Sequence, residues 1–253
     1  GPRLAPRLAE TALETLAPMP QRLEPVYATI RLLRASMPAG RALLGFAGSP
    51  WTVATYMVNG AGSKDQGATR RMAYAEPARF AALIGAIVDA TADYLIKQID
   101  AGVDAVQLFD SWAGSLAPDQ FDQWVIAPNR AIIDRVRAAH PHVPIIGFPK
   151  GAGAKLVDYA IGTRADVIGL DETVDPAWAN AVLPAGLPVQ GNLDPLLLIA
   201  GGDALDARVD AVRAALAGRP HVFNLGHGIL PDTPIAHVEQ LVARVRAPLA
   251  GAD

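Results

Sequence analysis

Six short apolar runs, each followed by a glycine-containing or polar turn, constrain the fold of this chain most. The runs cover residues 42–46, 105–109, 144–148, 167–170, 188–191 and 222–225. They are continuously apolar rather than alternating, which is typical of strands covered on both faces. Helical patterns lie between the runs, for example at 80–99, 120–139 and 205–217. Alternating strands and helices predict a parallel sheet with helices packed on it.

Helix starts are marked by a capping residue followed by proline. The side-chain oxygen accepts from a free amide, and proline at the first helical position loses no intrahelical bond. The four pairs are Ser49-Pro50, Asp175-Pro176, Asp194-Pro195 and Thr233-Pro234. The helix after the last pair is predicted to carry one apolar stripe. Its members are Ile235, Val238, Leu241, Val242 and Val245.

Polar groups follow every predicted strand rather than a single switch point. This favours a (β/α)8 TIM-type barrel over an open doubly wound sheet, which stays the alternative. A complete barrel needs eight strands, yet the first 40 residues indicate two helices, one of them amphipathic over 30–37, and no strand. We therefore expect one barrel domain over 1–253, N-terminally incomplete, with two further strands preceding Gly1.

Composition excludes several functional classes. The chain has no cysteine, so thiolate nucleophiles, iron–sulfur clusters and thiolate zinc sites are excluded. A net charge of −3 argues against nonspecific nucleic-acid binding, although helix N-termini and local cations can still hold an anionic substrate. No apolar stretch approaches the roughly 20 residues of a membrane span. No secretory signal is visible, so we expect a cytoplasmic protein that does not bind membranes.

No cofactor motif is present. The sequence lacks both the His-x-x-x-His spacing and the glycine-rich phosphate or dinucleotide fingerprints. We therefore predict no metal site and no organic cofactor.

His227 is the most conspicuous polar residue at a strand end, because Gly226 and Gly228 flank it. It is interpreted as a general acid or a donor to a substrate carboxylate, and alternatively as a histidine bonded to a loop carbonyl. Ser111 lacks the surroundings of a nucleophile elbow. A hydroxyl that donates to substrate or caps a helix is the better interpretation of that residue.

The other candidates are more ambiguous. Asp110 and Asp171 are interpreted as metal ligands or bases, or equally as acceptors of turn amides. Asp194 is predicted to cap a helix. Tyr56 is either a substrate contact or an ordinary buried phenol, and Lys150 is a weak candidate for an anion contact. Phe46, Phe109 and Phe148 end three strands, where they would wall an apolar pocket or belong to the core.

Five motifs together resemble the uroporphyrinogen decarboxylase family. They are Gly-Phe-Ala-Gly-Ser-Pro-Trp-Thr at 45–52, Tyr-Met at 56–57, Leu-Phe-Asp-Ser-Trp-Ala-Gly at 108–114, Gln-Gly-Asn-Leu-Asp-Pro at 190–195 and Asn-Leu-Gly-His-Gly at 224–228. The resemblance runs in order from about residue 2 to the end. It implies a homodimeric barrel that decarboxylates the four acetate arms of uroporphyrinogen, giving coproporphyrinogen in haem biosynthesis, without metal or organic cofactor.

The resemblance also implies roles for residues. Tyr56, Ser111 and His227 would hydrogen-bond carboxylate arms of the substrate, and Phe109 would pack against the macrocycle. The family's Arg-Gln-Ala-Gly-Arg motif and its pyrrole-binding aspartate belong to the N-terminal part of the fold, and neither motif occurs in this chain. We therefore expect the 253-residue polypeptide alone to have negligible activity.

Two other functions remain possible at this point. A zinc-dependent methyltransferase of the same superfamily is disfavoured because those enzymes hold zinc through cysteine. A noncatalytic protein that keeps the barrel and binds porphyrinogens is the other alternative.

Overall fold

The computed structural model describes residues 3–5, 7–8 and 20–248. The chain divides into two compact units, Gly1–Ala165 and Asp166–Asp253, and a single domain over 1–253 stays a prediction. Of the two helices expected before residue 40, the one over 30–37 corresponds to α1, Glu24–Ser36. The other falls outside the described residues.

The first unit contains three parallel strands, with β2 between β1 and β3. After α1 its elements are β1 Leu44–Gly48, α2 Pro50–Asn59, α3 Gly67–Ala75, α4 Pro77–Asp100, β2 Ala105–Asp110, α5 Pro118–Phe121, α6 Ala127–Ala139, β3 Ile145–Pro149 and α7 Leu156–Thr163. Phe109 is the register partner of Phe148, and Asp110 that of Pro149.

The second unit also contains three parallel strands, with β5 between β4 and β6. Its elements are β4 Val167–Gly169, α8 Pro176–Val182, β5 Val189–Leu193, α9 Pro195–Ala200, α10 Gly202–Ala215, β6 His221–Leu225 and α11 Ile235–Arg246. All six predicted strands are therefore confirmed, and the largest shift in a boundary is two residues.

The pattern predicted as one helix over 120–139 is interrupted. A π-helical segment, Asp122–Ile126, separates α5 from α6. Pro128 supplies the physical reason, since it has no amide hydrogen to donate to the carbonyl four residues earlier.

Two of the four predicted helix caps are confirmed. The carboxylates of Asp175 and Asp194 accept the amides of Ala177 and Leu196 at 2.9 and 2.8 Å. The other two predictions are wrong. Ser49 is at the N-cap position, but its side chain makes no cap bond, since the hydroxyl is oriented towards Asn129 and donates to its Oδ1. The final helix begins after Pro234, so Thr233 is not at the capping position.

The apolar stripe of α11 is only partly covered. Val238, Leu241 and Val245 pack on the buried residues of α9 and α10 and the end of β5, namely Leu193, Leu198, Leu205 and Val209. Ile235 is 78% exposed and Val242 40%, so the described residues leave these two members of the predicted stripe uncovered. In the described ranges, no helix has both the length and the hydropathy needed to span a membrane.

Candidate functional site

Three phenylalanines form a row across β1, β2 and β3. Phe109 and Phe148 lie near the ends of their strands, whereas Phe46, predicted to end β1, lies in the middle of it. Ring centroids are 5.9 Å apart between Phe46 and Phe109, and 5.7 Å apart between Phe109 and Phe148, both in edge-to-face geometry. Side chains alternate along a strand, and a Cβ on Gly45 or Gly147 would meet helix α4 or α7. The phenylalanines therefore lie on the face that turns away from these helices. Phe46 is 61% exposed, whereas Phe148 is 5% exposed, so the accessible apolar part of this row is at Phe46.

Tyr56 lies at the edge of this region, on α2. Its ring contacts Trp112, the neighbour of Ser111, with centroids 6.4 Å apart. A Cβ at Gly62 would lie 3.4 Å from the Trp112 ring and 3.5 Å from the Tyr56 hydroxyl. The loop after α2 and the loop after β2 therefore meet at Tyr56. Two of the predicted substrate contacts, Tyr56 and Ser111, belong to these adjoining segments.

A hydrogen-bond network holds those segments together. Gln66 accepts from the Trp51 indole at 3.1 Å and donates to the Ser115 hydroxyl at 3.0 Å. Lys155 of the turn before α7 donates to the carbonyls of Gly114 and Leu116 at 3.1 and 2.7 Å. Burial lowers the pKa of Lys155. Sequence analysis did not single out Gln66 or Lys155, because each bonds to residues roughly 40 to 50 positions away.

The strand tips are also joined through their backbones. Ser49 donates its amide to the Phe109 carbonyl at 2.8 Å, and Lys150 donates its amide to the Asp110 carbonyl at 3.0 Å. Gly114 in turn donates to the Lys150 carbonyl at 3.2 Å. These hydrogen bonds therefore connect the ends of β1, β2 and β3 to one another.

Asp110 ends β2 and is fully buried. It accepts the Thr52 hydroxyl at 2.7 Å, and the side chain of Asn129 lies close to it. Burial raises the pKa of Asp110 to about 7, although the hydrogen bond from Thr52 opposes the rise. It shares a face of β2 with the buried Val106 and Leu108, so it faces the helices rather than the phenylalanine row.

In the second unit hydrogen bonds connect the ends of β4, β5 and β6. The side-chain amide of Asn192 donates to the carbonyls of Asp171 and Val174 at 2.9 and 2.6 Å. Gly226 donates its amide to the Leu193 carbonyl at 2.7 Å. Asp171 accepts the Thr173 amide at 2.9 Å, which confirms the turn-amide interpretation of that carboxylate.

His227 lies just after the end of β6 and is exposed. A Cβ at Gly226 would lie 2.2 Å from the Glu172 amide nitrogen, so only glycine fits immediately before it. His221 begins β6, at the opposite end of the strand from His227. Its Nε2 contacts the Gly191 carbonyl at 2.6 Å, and burial lowers its pKa. The predicted convergence of His227 with Tyr56 and Ser111 stays a prediction.

Among the described residues, no group of three or more His, Cys, Asp or Glu side chains has the arrangement of a metal site.

Comparison with known proteins agrees with the motifs. The family model described as "Uroporphyrinogen decarboxylase (URO-D)" matches residues 1–248. Proteins named uroporphyrinogen decarboxylase from Rhizorhabdus wittichii and Sphingopyxis alaskensis are each 67% identical over 246 residues, covering 97% of this chain and 72% of the relative. One from Gluconacetobacter diazotrophicus is 50% identical over 258 aligned positions, with 97% and 73% covered.

A solved structure shares the fold at much lower identity. A methyltransferase from Methanosarcina mazei superposes with a TM-score of 0.79 over 93% of this chain and 68% of its own, at 20% identity. That likeness concerns the fold alone. The predicted fold class, α/β of the (β/α)8-barrel type, is confirmed. By the family match and the identity to its relatives, this chain belongs to the uroporphyrinogen decarboxylase family.

Proposed function

We propose that this chain carries the substrate-holding part of a uroporphyrinogen decarboxylase, which converts the four acetate arms of uroporphyrinogen III to methyl groups. The observation that carries the proposal is the family match over residues 1–248, together with the apolar row that adjoins Tyr56 and Ser111 at the strand ends. A flat, ring-shaped substrate with carboxylate arms suits an apolar wall bordered by hydroxyls.

The chemistry needs no added electron acceptor. A proton taken up by a pyrrole carbon turns that ring into a cation. The bond between the acetate methylene and its carboxylate then breaks, carbon dioxide leaves, and the bonding electrons neutralise the ring. Protonation of the resulting methylene and loss of the ring proton leave a methyl group, so each cycle consumes one proton and releases one carbon dioxide. The protein contributes binding, proton transfer and electrostatic stabilisation.

In this proposal Phe109 packs against the macrocycle. The hydroxyls of Tyr56 and Ser111 and the imidazole of His227 hydrogen-bond carboxylate arms. We further propose a homodimer in the cytoplasm, as the family resemblance implies.

The function is tested by supplying the part that the relatives have in addition. We expect negligible turnover by the 253-residue polypeptide, because the Arg-Gln-Ala-Gly-Arg motif does not occur in it. Fusing the N-terminal region of the Rhizorhabdus wittichii relative ahead of Gly1 should yield coproporphyrinogen, measured by chromatography of the oxidised porphyrins. Full turnover by the unfused polypeptide would refute the requirement for that region. A folded fusion protein that binds uroporphyrinogen without turnover would instead support a noncatalytic binding protein.

The substrate contacts are tested separately in the fusion protein. Tyr56→Phe, Ser111→Ala and His227→Ala should each raise KM about 10-fold or more, since a hydrogen bond to a charged group contributes roughly 1.5–3 kcal/mol. Tyr74→Phe is a matched control, because Tyr74 is exposed on α3. Unchanged KM in all three variants would contradict the assignment of these residues.

A further inference from the structure

The buried carboxyl of Asp110 connects the two segments that carry Tyr56 and Ser111. Its Oδ1 accepts the Thr52 hydroxyl at 2.7 Å, and Thr52 lies one helical turn before Tyr56 on the same side of α2. Asp110 also directly precedes Ser111, at the end of β2. The Thr52 hydrogen bond therefore connects α2 to the residue from which the loop after β2 begins.

Among the described residues, the groups that face this carboxyl are uncharged. Thr52 faces it from α2, Asn129 from α6 and the phenol of Tyr159 from α7. The ammonium group of Lys155 instead donates to the carbonyls of Gly114 and Leu116. A carboxylate buried among neutral groups is much less stable than the neutral acid.

One oxygen of the carboxyl has room for a proton. Asp110 Oδ2 is buried and has no hydrogen-bond partner among the described residues, and the same holds for the Tyr159 hydroxyl. The Tyr159 ring lies against Gly147 on the neighbouring strand, with its hydroxyl oxygen 2.8 Å from where a Cβ would be. Burial raises the pKa of Tyr159, and a charge on Asp110 would raise it further. An ionised Oδ2 would be an unpaired buried charge, whereas a protonated Oδ2 is neutral.

We infer that Asp110 is a positioning residue for the Tyr56 and Ser111 hydroxyls, and that it acts as a neutral carboxylic acid. The inference rests on the proposed function, since these hydroxyls are the proposed carboxylate contacts. In the neutral form Oδ1 accepts from Thr52 without introducing a charge into the helix-facing layer. Ionisation places an unpaired charge there, displaces α2 from the β2 loop and weakens substrate binding. Burial raises the pKa of Asp110, in agreement with this assignment.

Kinetics of the fusion protein test the positioning role. Between about pH 6 and about pH 8.5, KM of the parent should rise about 10-fold, while KM of Asp110→Asn should stay nearly constant, since asparagine is neutral throughout. Thr52→Val should raise KM about 10-fold with a smaller effect on kcat, and Thr52→Ser, which keeps the hydroxyl, should restore it. A KM in Asp110→Asn that varies with pH as in the parent would overturn the inference.

A spectroscopic measurement tests the protonation state without substrate or turnover. The infrared difference spectrum of the 253-residue polypeptide minus its Asp110→Asn variant should contain the carbonyl band of a protonated carboxylic acid at about pH 6, and the band should disappear at about pH 8.5. Absence of the band at the lower pH would refute the neutral acid, whether or not the proposed function is correct. If Asp110→Asn does not fold, the Thr52 pair still tests the positioning role, and the loss of the band between the two pH values in the parent alone tests the protonation state.

Discussion

Asp110→Asn should stabilise the protein increasingly as the pH rises from about 4 to about 7. The pKa of Asp110 is about 7 in the folded state and 3.8 in the reference state. Between these values the unfolded chain has released its proton while the folded protein retains it. The unfolding free energy of the parent therefore falls as the pH rises, by about 1.4 kcal/mol per pH unit and by about 4 kcal/mol in total. Below the lower pKa the ionisation of Asp110 does not change the unfolding free energy of the parent. Above the higher pKa the loss of unfolding free energy is constant.

The measurement is urea unfolding of the parent and of Asp110→Asn across that pH range. The quantity to compare is the difference between the two proteins, because other carboxyls contribute equally to both. Asp104→Asn is a matched control with the opposite sign, since the Leu43 amide and Arg34 lower the pKa of Asp104. That variant should lose stability relative to the parent as the pH rises. A difference for Asp110→Asn that does not change with pH would contradict the assignment of a neutral buried acid.

Gly226→Ala should disrupt the turn that carries His227, whereas Gly228→Ala should be tolerated. An alanine Cβ at position 226 would lie 2.2, 2.6 and 2.7 Å from the amide nitrogen, Cα and Cβ of Glu172. Two of these are backbone atoms, so the turn itself must move. Overpacking of this kind typically lowers the unfolding free energy by about 1–3 kcal/mol. If His227 moves by about 1 Å, turnover should fall about 100-fold.

Gly228 provides the control on the other side of the same histidine. A Cβ there would meet no atom within 4 Å. Both variants are compared with the parent by urea unfolding and, in the fusion protein, by turnover of uroporphyrinogen. Equal effects of the two substitutions would show that backbone proximity at Gly226 does not position His227.

Local sequence was sufficient to predict where the strands lie, because a buried parallel strand is apolar at nearly every position. It was also sufficient for the caps at Asp175 and Asp194, where the side chain bonds an amide two residues away. The same reasoning was wrong for Ser49, because its hydroxyl bonds Asn129, which is 80 residues distant. A local pattern predicts a local bond, and a competing partner from another helix is not visible in it.

The candidate site shows the same difference between what local sequence predicts and what contacts between distant residues decide. Phe46, Phe109 and Phe148 were predicted either to wall a pocket or to belong to the core. Phe148 is buried and Phe46 is exposed, so the row has a member of each kind, and its role as a pocket wall stays a prediction. Asp110 was predicted equally as a base or as an acceptor of amides. Strand alternation and the bond from Thr52 place it towards the helices, as a support for the site rather than a group facing the row. The network of Gln66 and Lys155 was not predicted at all.

The sequence by itself determined the α/β class, the positions of the strands along the chain and the family, because these follow from periodicity and from motifs that are contiguous in the chain. Only the tertiary structure decided which polar groups share a buried layer. The energy of a carboxyl depends on the dielectric and the partners around it, and for Asp110 those partners come from α2, α6 and α7. Folding brings them together, and the linear order of residues does not record that proximity.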